Sequence, residues 1–379
     1  MSPSKAIDVL VVIGTRPEAI KCAPVILELR RRPERFACRV CVTAQHRELL
    51  DQALGIFDIL PDYDLNVMTA RQALEQVTAR VIEGMRGIFE RRRPGIVLVQ
   101  GDTTSVFATA LEAFYHQIPI CHIEAGLRSG RRYDPFPEEM NRAMVSVLAD
   151  LHFAPTERAR RNLLACGVPD ETIHVTGNTV IDALLATAQR EYEFKDGPLA
   201  RIDWKSRRVI LLTAHRRENF GEPMRAIFRA VRTLTERYPD VEVVFPVHPN
   251  PNVVVAAHEV LSGAERVHLI SPIGYLPFVH LMKRSTLVLT DSGGLQEEAP
   301  SLGKPVLVLR RTTERPEGIE AGTASLVGVE AEAIVAKATQ LLDDPSAYAA
   351  MANAVNPYGD GQAAERICNI IERWFARKA

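Results

Sequence analysis

Residues 121–142, CHIEAGLRSGRRYDPFPEEMNR, gather four carboxylates (Glu124, Asp134, Glu138, Glu139) and four arginines (Arg128, Arg131, Arg132, Arg142). The segment leaves an apolar run, PICHI, and becomes a polar loop. Carboxylates placed in this way can move protons, and guanidiniums can hold an anion. A solvated loop would use the same residue types, so the reading depends on what stands at the other strand ends.

Those ends carry matching groups. IDVLVVI is followed by GTRPEAIK. There Gly14 permits a tight turn, Pro17 suits a first helical turn, and Arg16 and Lys21 fall near a helix start, which favours an anion. IVLVQ is followed by GDTTS, with Asp102 at the strand end, where a plain N-cap competes with catalysis as its role. Glu124 stands just past PICHI. In the second half VILLT leads into AHRRENFG, VEVVFPV into HPNPN, TLVLT into DSGGLQEEAP and PVLVL into RRTTERPEG. His215, His248, Ser292 and Arg315 therefore also lie at carboxyl ends. Ser292 and the glycines after it let N–H groups approach a phosphate, and Glu298, about one turn on, suits a ribose diol. The chain has neither GxGxxG nor GxxxxGK(S/T), so neither a dinucleotide cofactor nor ATP is indicated. The pattern is that of a nucleoside diphosphate held by cations and glycines, with acids acting on the attached group.

Short β-branched runs alternate with helical periodicity, as in LEQVTARVIEGMRGIFERRR, along all 379 residues. Continuous apolar strands alternating with helices imply parallel sheets covered on both faces. The length is too great for one ordinary core. The expectation is an α/β protein with two doubly wound Rossmann-like domains facing a cleft, since such sheets bind ligands beyond the carboxyl ends of their strands. The charged stretch between Arg190 and Arg208, with its Gly-Pro, is the best linker candidate. GQAAERICNIIERWFARKA reads as an amphipathic helix with Trp374 and Phe375 on or near its apolar face.

A net charge of −1 with 25% charged residues gives no case for a nucleic-acid or membrane partner from bulk electrostatics. No apolar run approaches the roughly 18 residues of a membrane span, and the N-terminal run lacks a signal-peptide cleavage pattern. A cytoplasmic protein is expected. Cys38 and Cys41 form a CxxC within a strand, with no second pair or nearby histidine to complete a metal set, so buried thiols are expected there.

Taken together, GTRPEAIK, TAQHRELLDQ, GDTTS, HIEAGLRS, PFPEEMNR, FAPTE, GNTVIDAL, HRRENFG, HPNPNV, DSGGLQEEAPSLGKPVLVLR, TTERPE and NPYGDGQA closely resemble the non-hydrolysing UDP-N-acetylglucosamine 2-epimerases over nearly the whole chain. The resemblance implies the two-domain fold of B-type glycosyltransferases. It implies a division into 1–178 with a returning helix at 362–379, and a UDP-binding domain at 179–361. It implies conversion of UDP-GlcNAc to UDP-ManNAc by anti elimination of UDP to 2-acetamidoglucal and re-addition, without metal or other cofactor. Matched by motif, Asp102, Glu124 and Glu138 resemble the acid/base carboxylates and His215 the essential histidine. Arg16, Lys21, Arg142 and Arg315 resemble the ligand-binding cations, and His248, Phe278, Ser292, Gly293 and Glu298 the UDP-holding set. Gln45, His46, Arg71 and Gln72 resemble a site for a second, activating UDP-GlcNAc, and the family implies a homodimer. The chain departs from the family at Arg311, where an aspartate is usual, and at Asp134, where a small polar residue is. The nearest alternative is a 2-epimerase of a modified UDP-sugar, such as a diacetamido uronic acid. A hydrolysing epimerase, a glycosyltransferase of the same fold and a silent nucleotide-sugar sensor lie further off.

Overall fold

The computed structural model describes residues 6–43, 47–69 and 72–378. The chain divides into two compact units, one running to Ala183 and resuming at Tyr358, the other spanning Leu184–Pro357.

In the first unit the strands are β1 (Ile7–Ile13), β2 (Phe36–Val42), β3 (Tyr63–Asp64), β4 (Ile96–Gln100), β5 (Ile120–Ile123), β6 (Leu151–Ala154) and β7 (Ile173–Val175). The helices are α1 (Arg16–Arg30), α2 (Arg47–Ile56), α3 (Leu74–Arg91), α4 (Thr104–Tyr115), α5 (Glu138–Leu148), α6 (Glu157–Ala165) and α7 (Thr179–Ala188), which runs past the unit boundary. The sheet order is β3-β2-β1-β4-β5-β6-β7, all parallel. Strands such as IVLVQ are buried along their whole length, as a sheet covered on both faces demands. α3 turns Val77, Val81, Met85, Ile88 and Phe89 inward, the helical spacing visible in its sequence.

The second unit repeats the plan. Its strands are β8 (Arg208–Thr213), β9 (Val241–Pro246), β10 (Val267–Ile270), β11 (Leu287–Thr290), β12 (Val306–Val308) and β13 (Ala324–Leu326). Its helices are α8 (Glu222–Arg237), α9 (Pro251–Leu261), α10 (Tyr275–Arg284), α11 (Gly293–Glu298), α12 (Pro316–Glu320), α13 (Ala331–Asp343) and α14 (Pro345–Ala352). The order is β10-β9-β8-β11-β12-β13, again parallel. Each sheet reverses direction once, between β1 and β4 and between β8 and β11, and such a reversal opens a crevice at the strand ends.

The stretch expected as a linker is packed on the second unit. The Arg284 guanidinium lies 5.1 Å from the Phe194 ring centre and 5.6 Å from that of Trp204, and it donates to the Tyr192 carbonyl at 2.6 Å. The last helix, α15 (Ala363–Ala376), belongs to the first unit, where Arg32 donates to Asn369 at 2.5 Å. Its first turn is capped by Asp182, which accepts from the Ala364 N–H at 2.8 Å. Its buried stripe is Ala363, Ala364, Ile367, Cys368 and Ile371, while Trp374 and Phe375 are half-exposed at its end. Burial pushes the Cys38 and Cys41 thiols up to about 12, so both stay protonated. Among the described residues no helix is long and apolar enough to cross a membrane.

Candidate active site

Strand register sets the first rim. Gln100 at the end of β4 pairs with Ile123 at the end of β5, so the residues after them are neighbours. Gly101 then turns at φ +79° and donates to the Ile123 carbonyl at 3.0 Å. Glu124 sits at φ +63°, a left-handed conformation unusual for a residue with a side chain. It turns the carboxylate back across the strand ends. Lys21 Nζ lies 2.7 Å from both Glu124 oxygens, Asn178 Nδ2 donates to one at 3.0 Å, and Gln100 Nε2 donates to the other. Lys21 and Asn178 come from the segments after β1 and β7, so one buried carboxylate ties together groups from four strand ends.

Beside it, Asp102 accepts from Arg142 Nε at 2.8 Å, while Asn141 Nδ2 donates to the Asp102 carbonyl at 2.9 Å. Arg142 also reaches Glu139 at 3.1 Å. Burial alone would raise the Glu139 carboxyl. The N–H groups of Ser129 and Gly130 and the Arg142 charge outweigh it and hold Glu139 below the ordinary carboxylate value. Glu138, its neighbour, opens α5 half-buried and makes no side-chain hydrogen bond or ion pair with a described residue. Arg16 is half-buried at the start of α1 and is likewise unengaged among the described residues.

Two buried groups lie behind this rim. His122 Nε2 is 2.7 Å from the Gly101 carbonyl, and burial pushes the ring down to about 3, so it is neutral. Glu18, 3% exposed, accepts from Gly14 N at 2.5 Å and Thr15 N at 3.3 Å through one oxygen, while its other oxygen makes no hydrogen bond with a described residue. Burial pushes its carboxyl up to about 7. A Cβ on Gly14 would stand 3.0 Å from Ser105, tighter than ordinary van der Waals contact.

The second rim is built likewise. β8 and β11 pair Thr213 with Thr290, whose hydroxyls are 2.6 Å apart, so His215 and Asp291 emerge side by side. Asp291 is fully buried. One of its oxygens accepts from the N–H groups of His215 and Arg216, each at 2.8 Å, and from Asn219 Nδ2 at 3.1 Å. The other oxygen lies 3.1 Å from His215 Nδ1. Burial would raise this carboxyl, but His215 and the two N–H groups outweigh it and hold it low. The His248 ring stacks on His215 with centres 5.6 Å apart.

Ser292 occupies the N-cap position of α11, which begins with Gly293 and Gly294. A Cβ on Gly293 would meet Glu314 at 3.2 Å. Buried Gln296 accepts from the Thr313 hydroxyl at 2.7 Å and donates to the Ser292 carbonyl at 3.2 Å, so the TTERPE loop is fastened to this helix. Arg315 donates to buried Glu297, and Arg216 reaches Glu314 at 3.2 Å. Phe278 and Glu298 are half-buried on α10 and α11. Arg311 points outward to Glu330 at 3.3 Å with its side chain 72% exposed, and Asp134 pairs with Arg131 in the exposed loop. Gln45, His46 and Arg71 lie outside the described residues, while Gln72 accepts from Thr69 N at 3.0 Å.

The first unit thus brings together Lys21, Asp102, Glu124 and Arg142, and the second His215, His248, Ser292 and Gly293. Gln100, Asn178, Glu18, His122, Asn219 and Asp291 were not singled out from the sequence. Asp291, first residue of the DSGG motif, carried the clearest signal, because it directly follows a buried strand.

Two parallel sheets, each with a polar rim where its strand order reverses, place the chain among the nucleotide-binding α/β proteins with paired Rossmann-like units. A family profile described as UDP-N-acetylglucosamine 2-epimerase matches residues 27–372. The UDP-N-acetylglucosamine 2-epimerase of Bacillus subtilis is 53% identical over 363 residues, covering 96% of this chain and 94% of that one. The crystal structure of the UDP-GlcNAc 2-epimerase of Neisseria meningitidis bound to UDP-GlcNAc aligns with a TM-score of 0.84 at 49% identity, covering 96% of this chain and 99% of that one. A kitacinnamycin glycotransferase structure, 12% identical with a TM-score of 0.67, covers 97% and 99% of the two chains and shares the fold alone. The chain belongs to the UDP-N-acetylglucosamine 2-epimerase family.

Proposed function

We propose that the protein interconverts UDP-GlcNAc and UDP-ManNAc without hydrolysing them. The observation that carries this reading is the clustering of Lys21, Gln100, Asn178, Asp102 and Arg142 around and beside the Glu124 carboxylate at one strand-end rim. Epimerisation at C2 needs proton transfer on both faces of the sugar, so it needs more than one acid/base group. A carboxylate takes the C2 proton, the C1–O bond breaks, and its electron pair stays on the β-phosphate oxygen of UDP. C1 and C2 become doubly bonded, giving 2-acetamidoglucal. Re-addition returns the phosphate oxygen to C1 and delivers a proton to C2 on the opposite face. Asp102, Glu124 and Glu138 are the candidate proton carriers. Arg16, unengaged among the described residues, and Arg142 are suited to charge building on the departing diphosphate.

On the second rim, His215, His248, Ser292 and Gly293 are the proposed UDP-holding groups, with Phe278 and Glu298 beside the nucleoside. Arg315, which donates to Glu297, is a proposed cation for the diphosphate there. Gln45, His46, Arg71 and Gln72 remain the proposed site of an activating second UDP-GlcNAc. A homodimer is proposed as well. It is supported by Phe114 and Tyr115 at the end of α4 and Val147 on α5, which are 55%, 63% and 84% exposed. The product would feed synthesis of ManNAc-derived polysaccharide or glycoconjugate.

An NMR time course with UDP-GlcNAc in deuterated water, without added cofactor, tests the reading. UDP-ManNAc carrying deuterium at C2 is expected. Free ManNAc with UDP would replace it with a hydrolysing activity. No change with UDP-GlcNAc, but turnover of a diacetamido uronate nucleotide, would move the substrate.

A further inference from the structure

His215 is the only proposed catalytic group whose ring is backed by a fully buried carboxylate, and the manner of that backing is specific. Asp291 follows β11 and His215 follows β8, at the point where the second sheet reverses order. Asp291 spends one oxygen on the N–H groups of His215 and Arg216 and on the Asn219 amide. Three donors on one oxygen fix the carboxylate plane and leave its other oxygen 3.1 Å from His215 Nδ1. That oxygen makes no other hydrogen bond with a described residue, so the Nδ1 edge of His215 is the group placed to donate to it. Nε2, on the far edge of the ring, makes no hydrogen bond or ion pair with a described residue, and the His215 side chain is 37% exposed.

We infer that Asp291 is the positioning residue of His215. It fixes the imidazole with Nδ1–H turned to the carboxylate and Nε2 presented to the diphosphate of the substrate. The inference rests on the reaction proposed above.

The chemical consequence is directional. With Nδ1 protonated, the neutral ring offers a lone pair at Nε2, and a second proton there makes an imidazolium whose charge Asp291 balances. As the anionic diphosphate binds, Nε2 takes a second proton from solvent; when the C1–O bond breaks and its electron pair stays on the β-phosphate oxygen, the Nε2–H of this imidazolium hydrogen-bonds that oxygen. When UDP adds back, the same proton remains on Nε2 and none is consumed. If Nδ1 were the lone-pair nitrogen it would face the Asp291 oxygen, which is repulsive. His248 stacks on the His215 ring, and burial and the neighbouring His215 hold it below the ordinary histidine value. Arg216 is drawn off to Glu314.

The test is 15N NMR of imidazole-labelled protein, with His215 assigned by its absence in His215→Gln. The wild type is expected to show Nδ1 protonated and Nε2 unprotonated in the neutral ring. In Asp291→Asn the amide oxygen can keep the backbone donors while its NH2 faces Nδ1, so the proton should move to Nε2. That variant keeps an Nε2–H but has no carboxylate to balance an imidazolium, so its kcat for UDP-GlcNAc should fall about 100-fold or more, while KM changes less than about threefold. A wild-type ring protonated at Nε2 would overturn the inference without any variant, and so covers the case in which Asp291→Asn does not fold. A folded Asp291→Asn with kcat within about threefold of wild type would overturn it too. The spectrum is taken without substrate. If the wild type turned over no UDP-GlcNAc, the reaction assignment would fall while the hold of Asp291 on His215 was still decided.

Discussion

Replacing Glu18 with glutamine should make the protein more stable at pH 8 and change its stability by no more than about 1 kcal/mol at pH 4.5. The carboxyl is 3% exposed at the start of α1, with one oxygen engaged by Gly14 and Thr15 and the other without a hydrogen bond to a described residue. Burial holds its proton to about pH 7, against an ordinary value of 4.5. Below pH 4.5 the group is protonated whether the chain is folded or not, and the native state has its full stability. Between 4.5 and about 7 the unfolded chain releases the proton while the folded one keeps it, so stability falls as pH rises, by about 1.4 kcal/mol per pH unit. Above about 7 the loss is complete, about 3 kcal/mol on that basis. Glutamine preserves an oxygen for Gly14 and Thr15 and cannot ionise. Its NH2 must find an acceptor, for which the Thr103 hydroxyl is at hand, and a poor bond there would subtract about 1 kcal/mol. The expected gain at pH 8 is about 2–3 kcal/mol. Because the chain has two compact units, the assay is urea unfolding read by peptide-resolved hydrogen exchange over β1 and α1, at pH 4.5, 6 and 8. A variant that is less stable by the same amount at all three pH values would mean that Glu18 is ionised in the native state, and the reasoning would be wrong.

Other substitutions test neighbouring parts of the account. Lys21→Met leaves Glu124 buried without its cation and should cost about 3 kcal/mol in urea unfolding while abolishing turnover; wild-type stability would show that the pair is inert. Gly126→Ala should fail to fold, since the residue sits at φ +93° and a Cβ would stand 2.2 Å from the Ala159 carbonyl oxygen; a soluble variant with a native circular-dichroism spectrum would contradict this. Arg311→Ala should leave kcat and KM within about twofold, because that side chain faces water and Glu330. A tenfold change would put Arg311 at the nucleotide after all.

The strand ends were legible because their chemistry is local. A continuous apolar run followed by Gly-Asp or Ile-Glu places Asp102 and Glu124 at a sheet edge whatever the tertiary detail. Pairings between distant segments were not legible. Nothing in GNTVIDAL says that Asn178 reaches a carboxylate 54 residues earlier. Arg315 gives no sign that it is spoken for by Glu297, 18 residues before it. Helix phase separates neighbours in the same way: Glu138 and Glu139 look alike in PFPEE, yet only Glu139 turns toward Arg142. Buried acids were the hardest class. Glu18 lies in the first turn of α1 and Asp291 directly after β11, positions where an acid is common whether buried or solvated. Their isolation from water is a property of the packed sheet and has no sequence signature. The stretch from Arg190 to Arg208 misled because its charges suggest solvent, whereas Phe194 and Trp204 clasp Arg284 against the second unit.

The central claim is that the bond between C1 and the diphosphate breaks and re-forms during epimerisation. It is tested most directly with UDP-GlcNAc labelled with 18O in the oxygen that bridges C1 and the β-phosphorus, followed by 31P NMR under turnover. The account predicts that label migrates into the non-bridging β-phosphate oxygens as UDP-ManNAc appears. UDP-ManNAc formed with all of the label still in the bridging position would contradict it.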